Sequence, residues 1–242
     1  MNPSIVFPLA SAVDPWVYLW KPAGLPVFPP HEGGGPSVLS WWLAQDDCPR
    51  EGFPEGFEGG IAHRLDTATS GLLLAARTPE ALSELRGLFA SRSLRKYYLF
   101  RSDVGPGQGA GTVEVAIGHH PKSRRRMIVA HPPHRACRGR WYPAWTRFTP
   151  LSEDDSGCLW QAEIRTGVMH QIRVHAQHAG IPLTGDPLYG SAGVSPGPAD
   201  PASGFMLHHA MVIFPGGAHS PVARLPSGDL PALAIGADDG LV

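Results

Sequence analysis

The chain has 242 residues, a formal net charge of −1, and 43% hydrophobic against 17% charged residues. That is enough apolar content for a packed core and excludes a largely disordered chain, while no run of about 18 apolar residues is present to cross a membrane. Three widely spaced cysteines, Cys48, Cys137 and Cys158, form no C-x-x-C pair; they exclude a disulfide framework or zinc knuckle and point to a reducing cytoplasm.

Glycine (29) and proline (26) are abundant, which favours short strands and many turns. Trp16 to Trp20 reads as a strand, followed by a Pro-Gly turn and a second short strand ending near Phe28. Ser37 to Leu43 reads as a short helix, and residues 44–60 as an irregular acidic insertion. Ile61 to Leu65 is expected as a strand, and the apolar run Leu72 to Ala76 as a buried one. Thr78 can cap a helix with Pro79 at its first position, and Leu82, Leu85 and Leu88 recur at helical spacing through Arg92. Arg95 to Arg101 alternates as a strand does. Further strands are expected at Thr112–Ile117, Arg126–Ala130, Ala144–Leu151 and Leu159–Arg165. Met169 to Ala179 reads as a helix stopped by Gly180. Residues 191–204 read as a loop, and Phe205 to Phe214 as the last strand. With no repeats and no strong boundary, the pattern is α+β in a single domain.

Near-neutral net charge hides an asymmetry. No acidic residue lies between Glu114 and Glu153, while that window holds Lys122, Arg124, Arg125, Arg126, Arg135, Arg138, Arg140 and Arg147. Local sign decides what a surface attracts. Arginines interleaved with Trp141, Tyr142 and Trp145 suit RNA, whose phosphates pair with guanidinium and whose unpaired bases stack on rings. A solvated loop with core aromatics explains the same residues equally well.

The most informative stretch is His63-Arg64-Leu65-Asp66-Thr67-Ala68-Thr69-Ser70-Gly71. It sets one carboxylate, Asp66, on a tight loop two residues after an arginine. A neighbouring positive charge favours the ionised form that a nucleophile or base requires. By itself, an aspartate before a Thr/Ser/Gly turn is more often a cap or turn residue. The string resembles the H-R-L-D-x-x-T-S-G signature of RluA-type RNA pseudouridine synthases, in which the aspartate is catalytic. Lys96-Tyr97-Tyr98 resembles the family K-x-Y segment, which puts Tyr98 at the position that stacks on the target base. Strand alternation sends Tyr97 and Tyr98 to opposite faces. Thr166 to His175 resembles T-G-R-T-H-Q-I-R-V-H; there Arg173 matches the basic partner of the aspartate and Ile172 the apolar residue beneath the base. Val168 and Met169 depart from that pattern, standing where arginine and threonine are usual. Ile181 to Gly190 resembles P-x-x-G-D-P-x-Y-G, with Asp186 read as a structural turn residue. Phe205 to Ala210 resembles a late F-L-H-A strand. Trp20 to Leu25 resembles N-K-P-x-G-L, an expected substrate-side loop in which Lys21 meets phosphate or solvent.

The resemblance covers residues 16–214. It implies the pseudouridine synthase fold, a long mixed, mainly antiparallel sheet in two halves with a central catalytic cleft. It implies isomerisation of uridine in RNA with extrusion of the target nucleotide, because chemistry at a glycosidic bond is blocked inside a stacked helix. The expected catalytic residues are Asp66, Tyr98 and Arg173. The expected substrate-binding residues are His63, Arg64, Ile172, Lys21, Arg124, Arg125 and Arg126. No cofactor and no metal is expected: twelve histidines invite a metal site, but His175, His178, His208 and His209 lack the carboxylate or thiolate company of a known motif. The expectation is a cytoplasmic monomer without a separate N-terminal RNA-binding module, acting on a stem-loop of transfer or ribosomal RNA. The Val168 and Met169 departures motivate one alternative, a catalytically impaired RNA-binding or ribosome-assembly factor on the same scaffold.

Overall fold

The structure is a computed structural model that describes residues 15–30, 35–49, 51–130, 136–155, 157–190, 204–229 and 232–235. Arg135 and nearly all of the expected 191–204 loop lie outside the described residues. In chain order the elements are β1 (Trp16–Lys21), α1 (Val38–Trp42), a 3-10 turn (Glu58–Gly60), β2 (Ser70–Ala76), α2 (Pro79–Ala90), β3 (Arg95–Ser102), β4 (Gly111–Val113), β5 (Ile117–His119), β6 (Met127–Val129), β7 (Arg138–Tyr142), β8 (Thr146–Asp154), β9 (Gly157–Ile164), α3 (Gln171–His178) and β10 (Leu207–Ile213). The class is α+β, as expected. The chain divides into two compact units, one up to Leu94 with His208–Pro231, the other Arg95–Leu207 with the residues from Ala232 on. Among the described residues, no helix is long and apolar enough to cross a membrane.

In the first unit, β2 is the central strand. It is buried along its whole length and pairs antiparallel with β1, from Trp16↔Ala76 to Lys21↔Gly71. On its other edge β10 runs parallel, with His208↔Ser70 and His209↔Gly71, so the sheet is mixed. Thr78 caps α2 through Ala81 N at 3.2 Å, and Leu82 and Leu85 turn inward. Leu85 joins Tyr18, Leu72, Leu74, Leu94 and Val212 in one apolar cluster. Each such side chain contributes roughly 1.5–3 kcal/mol by leaving water. The helix stops at Ala90 rather than Arg92, because Arg92 adopts φ 58°, which a right-handed helix cannot continue.

The strand expected at Ile61–Leu65 is reduced to one bridge, Ile61↔Ala75. The reason is competition for one edge of β2. β10 takes Ser70 and Gly71. Ala62 N reaches Leu74 O at 3.1 Å. Between them two imidazoles replace backbone: His63 Nε2 accepts from Leu74 N at 3.0 Å, and His209 Nδ1 donates to Leu72 O. The short strand expected after the Pro-Gly turn is likewise absent, residues 22–30 being turns and bends.

The second unit holds the antiparallel sheet β3-β9-β8-β4 and a three-stranded sheet β6-β5-β7. The single strand expected over Thr112–Ile117 is two, β4 and β5, which serve different sheets. β7 was not expected: its residues Arg138 to Tyr142 include two arginines and a glycine, so no apolar alternation announces it.

Each unit contains a histidine with no exposed surface, and both are neutral. His208 Nδ1 accepts from the Ser70 hydroxyl at 2.9 Å and Nε2–H donates to Ala223 O at 3.2 Å. His175 repeats this with Thr146 at 2.9 Å and Val115 O at 2.9 Å. Burial pushes both down to about 4 from an ordinary 6.5, against the carbonyl bonds that favour the cation. The folded value lies below the unfolded one, so each contribution is complete above pH 6.5 and is lost as pH falls to about 4. At 1.36 kcal/mol per unit that is about 3 kcal/mol each. Urea unfolding of wild type should therefore lose stability between pH 6.5 and 4 more steeply than the His208→Asn/His175→Asn variant. Parallel pH profiles for the two proteins would refute this.

Candidate active site

The Asp66 loop is built by backbone bonds. Thr69 N returns to Asp66 O at 3.0 Å and closes the turn. Gly71 follows with φ 109°, and a Cβ there would sit 2.2 Å from His209 O, so only glycine lets β10 approach β2 this closely. Thr67 O, next to the aspartate, accepts from Gly24 N at 2.8 Å and from Lys21 Nζ at 3.0 Å. The Lys-Pro-x-Gly segment is thereby tied to the loop that carries the carboxylate.

Lys21 corrects the reading from sequence. It has no exposed surface and donates to three carbonyls, those of Pro22 (3.0 Å), Leu25 (2.6 Å) and Thr67 (3.0 Å). An ammonium so enclosed meets neither phosphate nor solvent; it clamps the loop. Burial pushes it down to about 7, with the Asp66 carboxylate acting the other way. The unfolded chain then holds the extra proton between about pH 7 and 10.5, so stability rises with pH across that window. Lys21→Met should cost about 2–3 kcal/mol, because the partly buried carbonyls of Pro22 and Leu25 lose this donor and Thr67 O keeps only Gly24 N. It should also remove the rise toward alkaline pH. Thermal melts at pH 7 and 9 check both; an unchanged melt at pH 7 would return Lys21 to the surface.

His63 is half-buried; its Nε2 is engaged by Leu74 N at 3.0 Å, and its ring lies 4.9 Å from Phe89 and edge-on to His209 at 5.9 Å. Those bonds fix the imidazole against the β2 edge. Arg64, the next residue, is exposed and Asp66 half-buried.

The remaining expected residues belong to the second unit. Tyr98 on β3 lies across from Ala162 and is 7% exposed; Tyr97 faces the other way, across from Glu163. Lys96 Nζ donates to Thr166 O at 3.0 Å, which joins the K-x-Y strand to the start of the Thr166–His175 segment. Burial pushes Lys96 down to about 8.

Helix α3 has an unusual beginning. Its cap residue His170 takes φ 55° and supplies no side-chain cap. The amide of Gln171 organises the turn instead: Oε1 accepts from Thr166 Oγ1 (2.8 Å) and Val168 N (3.1 Å), while Nε2 donates to Trp145 O (2.8 Å) and Thr146 Oγ1 (3.1 Å). Val168 packs against the cluster of Ile117, Met127, Ala144, Val174 and Tyr189, and Met169 is 38% exposed.

Ile172 and Arg173 are both buried on α3. Arg173 donates Nε and Nη2 to the two oxygens of Asp186, each at 2.7 Å. Asp186 also accepts from Leu188 N (2.8 Å) and Tyr189 N (3.1 Å). The turn role read from sequence for Asp186 is present. The fork to Arg173 was missed, since nothing in a G-D-P turn names a partner 13 residues away. The two-point bond fixes the plane of the guanidinium.

Tyr189, in the same loop, was also missed. Its hydroxyl accepts from Met127 N at 2.7 Å and bonds His170 Nδ1 at 2.9 Å. It thus ties the β5–β6 hairpin to the start of α3. That hairpin presents Arg124, Arg125 and Arg126, all exposed, with Arg126 Cζ 5.7 Å from the Tyr189 ring. The aromatics of the basic window are half-buried, and Arg140 lies over Tyr142 at 4.8 Å. Among the described residues, no group of three or more His, Cys, Asp or Glu could hold a metal.

Comparison with known proteins agrees with this assembly. Residues 15–178 match the family model described as RNA pseudouridylate synthase. A ribosomal large subunit pseudouridine synthase D of Nitrosomonas europaea is 35% identical over 77% of this chain and 51% of its own length. An RNA pseudouridine synthase of Chloroflexus aurantiacus, itself uncharacterized, is 36% identical over 70% of this chain and 50% of its own. The chain thus spans about half the length of the curated relatives it matches. In fold it is similar to human RNA Pseudouridylate Synthase Domain Containing 1, with TM-score 0.69 at 23% identity over 98% of this chain and 92% of that one. A family match over more than half of the chain, carried on a tied-down aspartate loop and a strand bearing Tyr98, makes this protein a member of the RNA pseudouridylate synthase family, of the RluA type.

Proposed function

We propose that the protein isomerises uridine to pseudouridine in RNA. The bond from sugar C1′ to N1 of the base breaks, the uracil turns, and C1′ joins C5, which gives up its proton while N1 takes one. Asp66 is the nucleophile or base of this reaction. Arg173 is its counter-cation, and Tyr98 stacks on the uracil above Ile172. Arg64 and the hairpin arginines Arg124, Arg125 and Arg126 hold phosphates around an extruded nucleotide. The single observation that carries the reading is the construction of the Asp66 loop. Lys21 and Gly24 grip the carbonyl beside the aspartate, and Gly71 seats the loop against β10. A carboxylate so positioned on a family-matching segment is built for chemistry, not for a surface charge.

Large-subunit ribosomal RNA is the substrate class that the names of the relatives favour. The cytoplasm is the compartment consistent with those bacterial relatives and with three free cysteines. Mapping pseudouridine in RNA from cells with and without the protein tests the reading. One or more uridines should lose modification in the deletion and regain it with wild type. Identical maps would reject the enzyme.

A further inference from the structure

Strands β3, β9 and β8 display a grid of six side chains on the face opposite Tyr98. The register sets Tyr97, Glu163 and Arg147 in one row. By two-residue alternation, the next row holds Arg95, Arg165 and Trp145 at or just beyond the strand ends. Three guanidinium groups therefore surround one carboxylate, and they are not equivalent. Arg95 is 11% exposed and grips Glu163 by hydrogen bonds, Nε to Oε1 at 2.9 Å and Nη2 to Oε2 at 3.4 Å. Arg147 and Arg165 approach the same carboxylate only to 3.7 Å, and their side chains are 36% and 45% exposed. Arg95 is the close partner of the buried glutamate, and the two more exposed guanidinium groups place further positive charge at the same spot.

Both outer guanidinium groups lie by Trp145, with Cζ at 5.4 and 5.1 Å from its ring. At such distances the guanidinium groups are attracted to the ring, and the planar fork of arginine matches two phosphate oxygens. Farther along β9 on this same face, Gln161 holds the backbone of Ala234 by both atoms of its amide, at 2.8 and 2.9 Å. Among the described residues, the Ala234 segment thus lies over the Gln161 end of the face.

We propose that Arg147 and Arg165, beside Trp145, form a second RNA-contact surface that takes phosphodiester oxygens of the substrate strand on the sheet face opposite Tyr98. This deepens the proposed function and rests on it. RNA that reaches this surface passes the edge of the sheet, so the enzyme reads a stretch longer than the extruded uridine and its nearest neighbours.

The test is salt dependence of binding to a uridine-containing RNA hairpin transcript, measured on the full chain. Each lost phosphate contact lowers the slope of log Kd against log salt by roughly 0.7–0.9. Arg147→Gln/Arg165→Gln should lower it by about 1.5 and weaken binding on the order of tenfold at 100 mM salt. Arg101→Gln is the control; it removes a partly exposed arginine paired with Asp154 elsewhere in the same unit and should leave the slope alone. If the double variant fails to fold, Arg165→Gln alone should lower the slope by about half as much. An unchanged slope, or an equal drop in Arg101→Gln, overturns the surface and leaves the enzyme standing. A wild type that neither binds nor modifies RNA overturns the proposed function together with it.

Discussion

Asp66→Asn abolishes modification, with a rate loss of at least about a thousandfold, while RNA affinity stays within a few fold of wild type or tightens. The magnitude follows from the role. An amide has no anionic oxygen to attack C1′ or to take a sugar proton, and removal of the group that does the chemistry costs such factors in enzymes generally. Binding is spared because one negative charge leaves a site that must accept a polyanion. The loop is held by backbone bonds, Thr69 N to Asp66 O and Gly24 N to Thr67 O, and by the bond of Lys21 Nζ to Thr67 O, all of which an asparagine leaves in place. Single-turnover modification and filter binding on the same preparation check both halves. Full modification by Asp66→Asn would remove Asp66 from the chemistry, while a wild type that binds RNA but modifies none would favour the non-catalytic reading of this scaffold.

Asp186→Ala unfolds or strongly weakens the second unit, by about 3–5 kcal/mol. Arg173 is 6% exposed and Asp186 not at all, so deletion of the carboxylate strands a buried cation and also releases the N–H groups of Leu188 and Tyr189. A companion variant separates stability from chemistry. Arg173→Met/Asp186→Leu removes both charges and fills the space, a replacement that is often neutral or stabilising for a buried pair. It should regain much of the lost stability and none of the activity, because the counter-cation is gone. Urea unfolding and the modification assay, run side by side, read the two effects. Activity in the refilled variant would remove Arg173 from the mechanism.

Local sequence signals reached far into this protein. Thr78-Pro79 announced the start of α2, and Leu72 to Ala76 the buried strand. The Lys96-Tyr97-Tyr98 alternation placed the two phenols on opposite faces, as the pairing of Tyr97 with Glu163 and of Tyr98 with Ala162 requires. The motifs carrying Asp66 and Arg173 were legible because the family match rests on short segments with fixed spacing. The misses share another cause. β7 is a strand by pairing with β5 and not by composition, and the 61–65 segment is no strand because β10 and two imidazoles occupy the edge it needed.

Side-chain partners were the least legible part. Lys21 looked like a phosphate ligand until its ammonium was found among three carbonyls, one of them 46 residues away. Asp186 looked like a turn residue until Arg173 was found in its fork; Arg147 was one more member of a basic window, and Arg165 the end of an expected strand, until Trp145 and Glu163 joined them. What the amino-acid order determined by itself was the class of fold, the family and the residues able to do its chemistry, because those depend on spacing along the chain. Which of those residues are enclosed in holding the scaffold, as Lys21 and Asp186 are, was decided only by tertiary structure, because burial and hydrogen-bond partners depend on segments that meet in space.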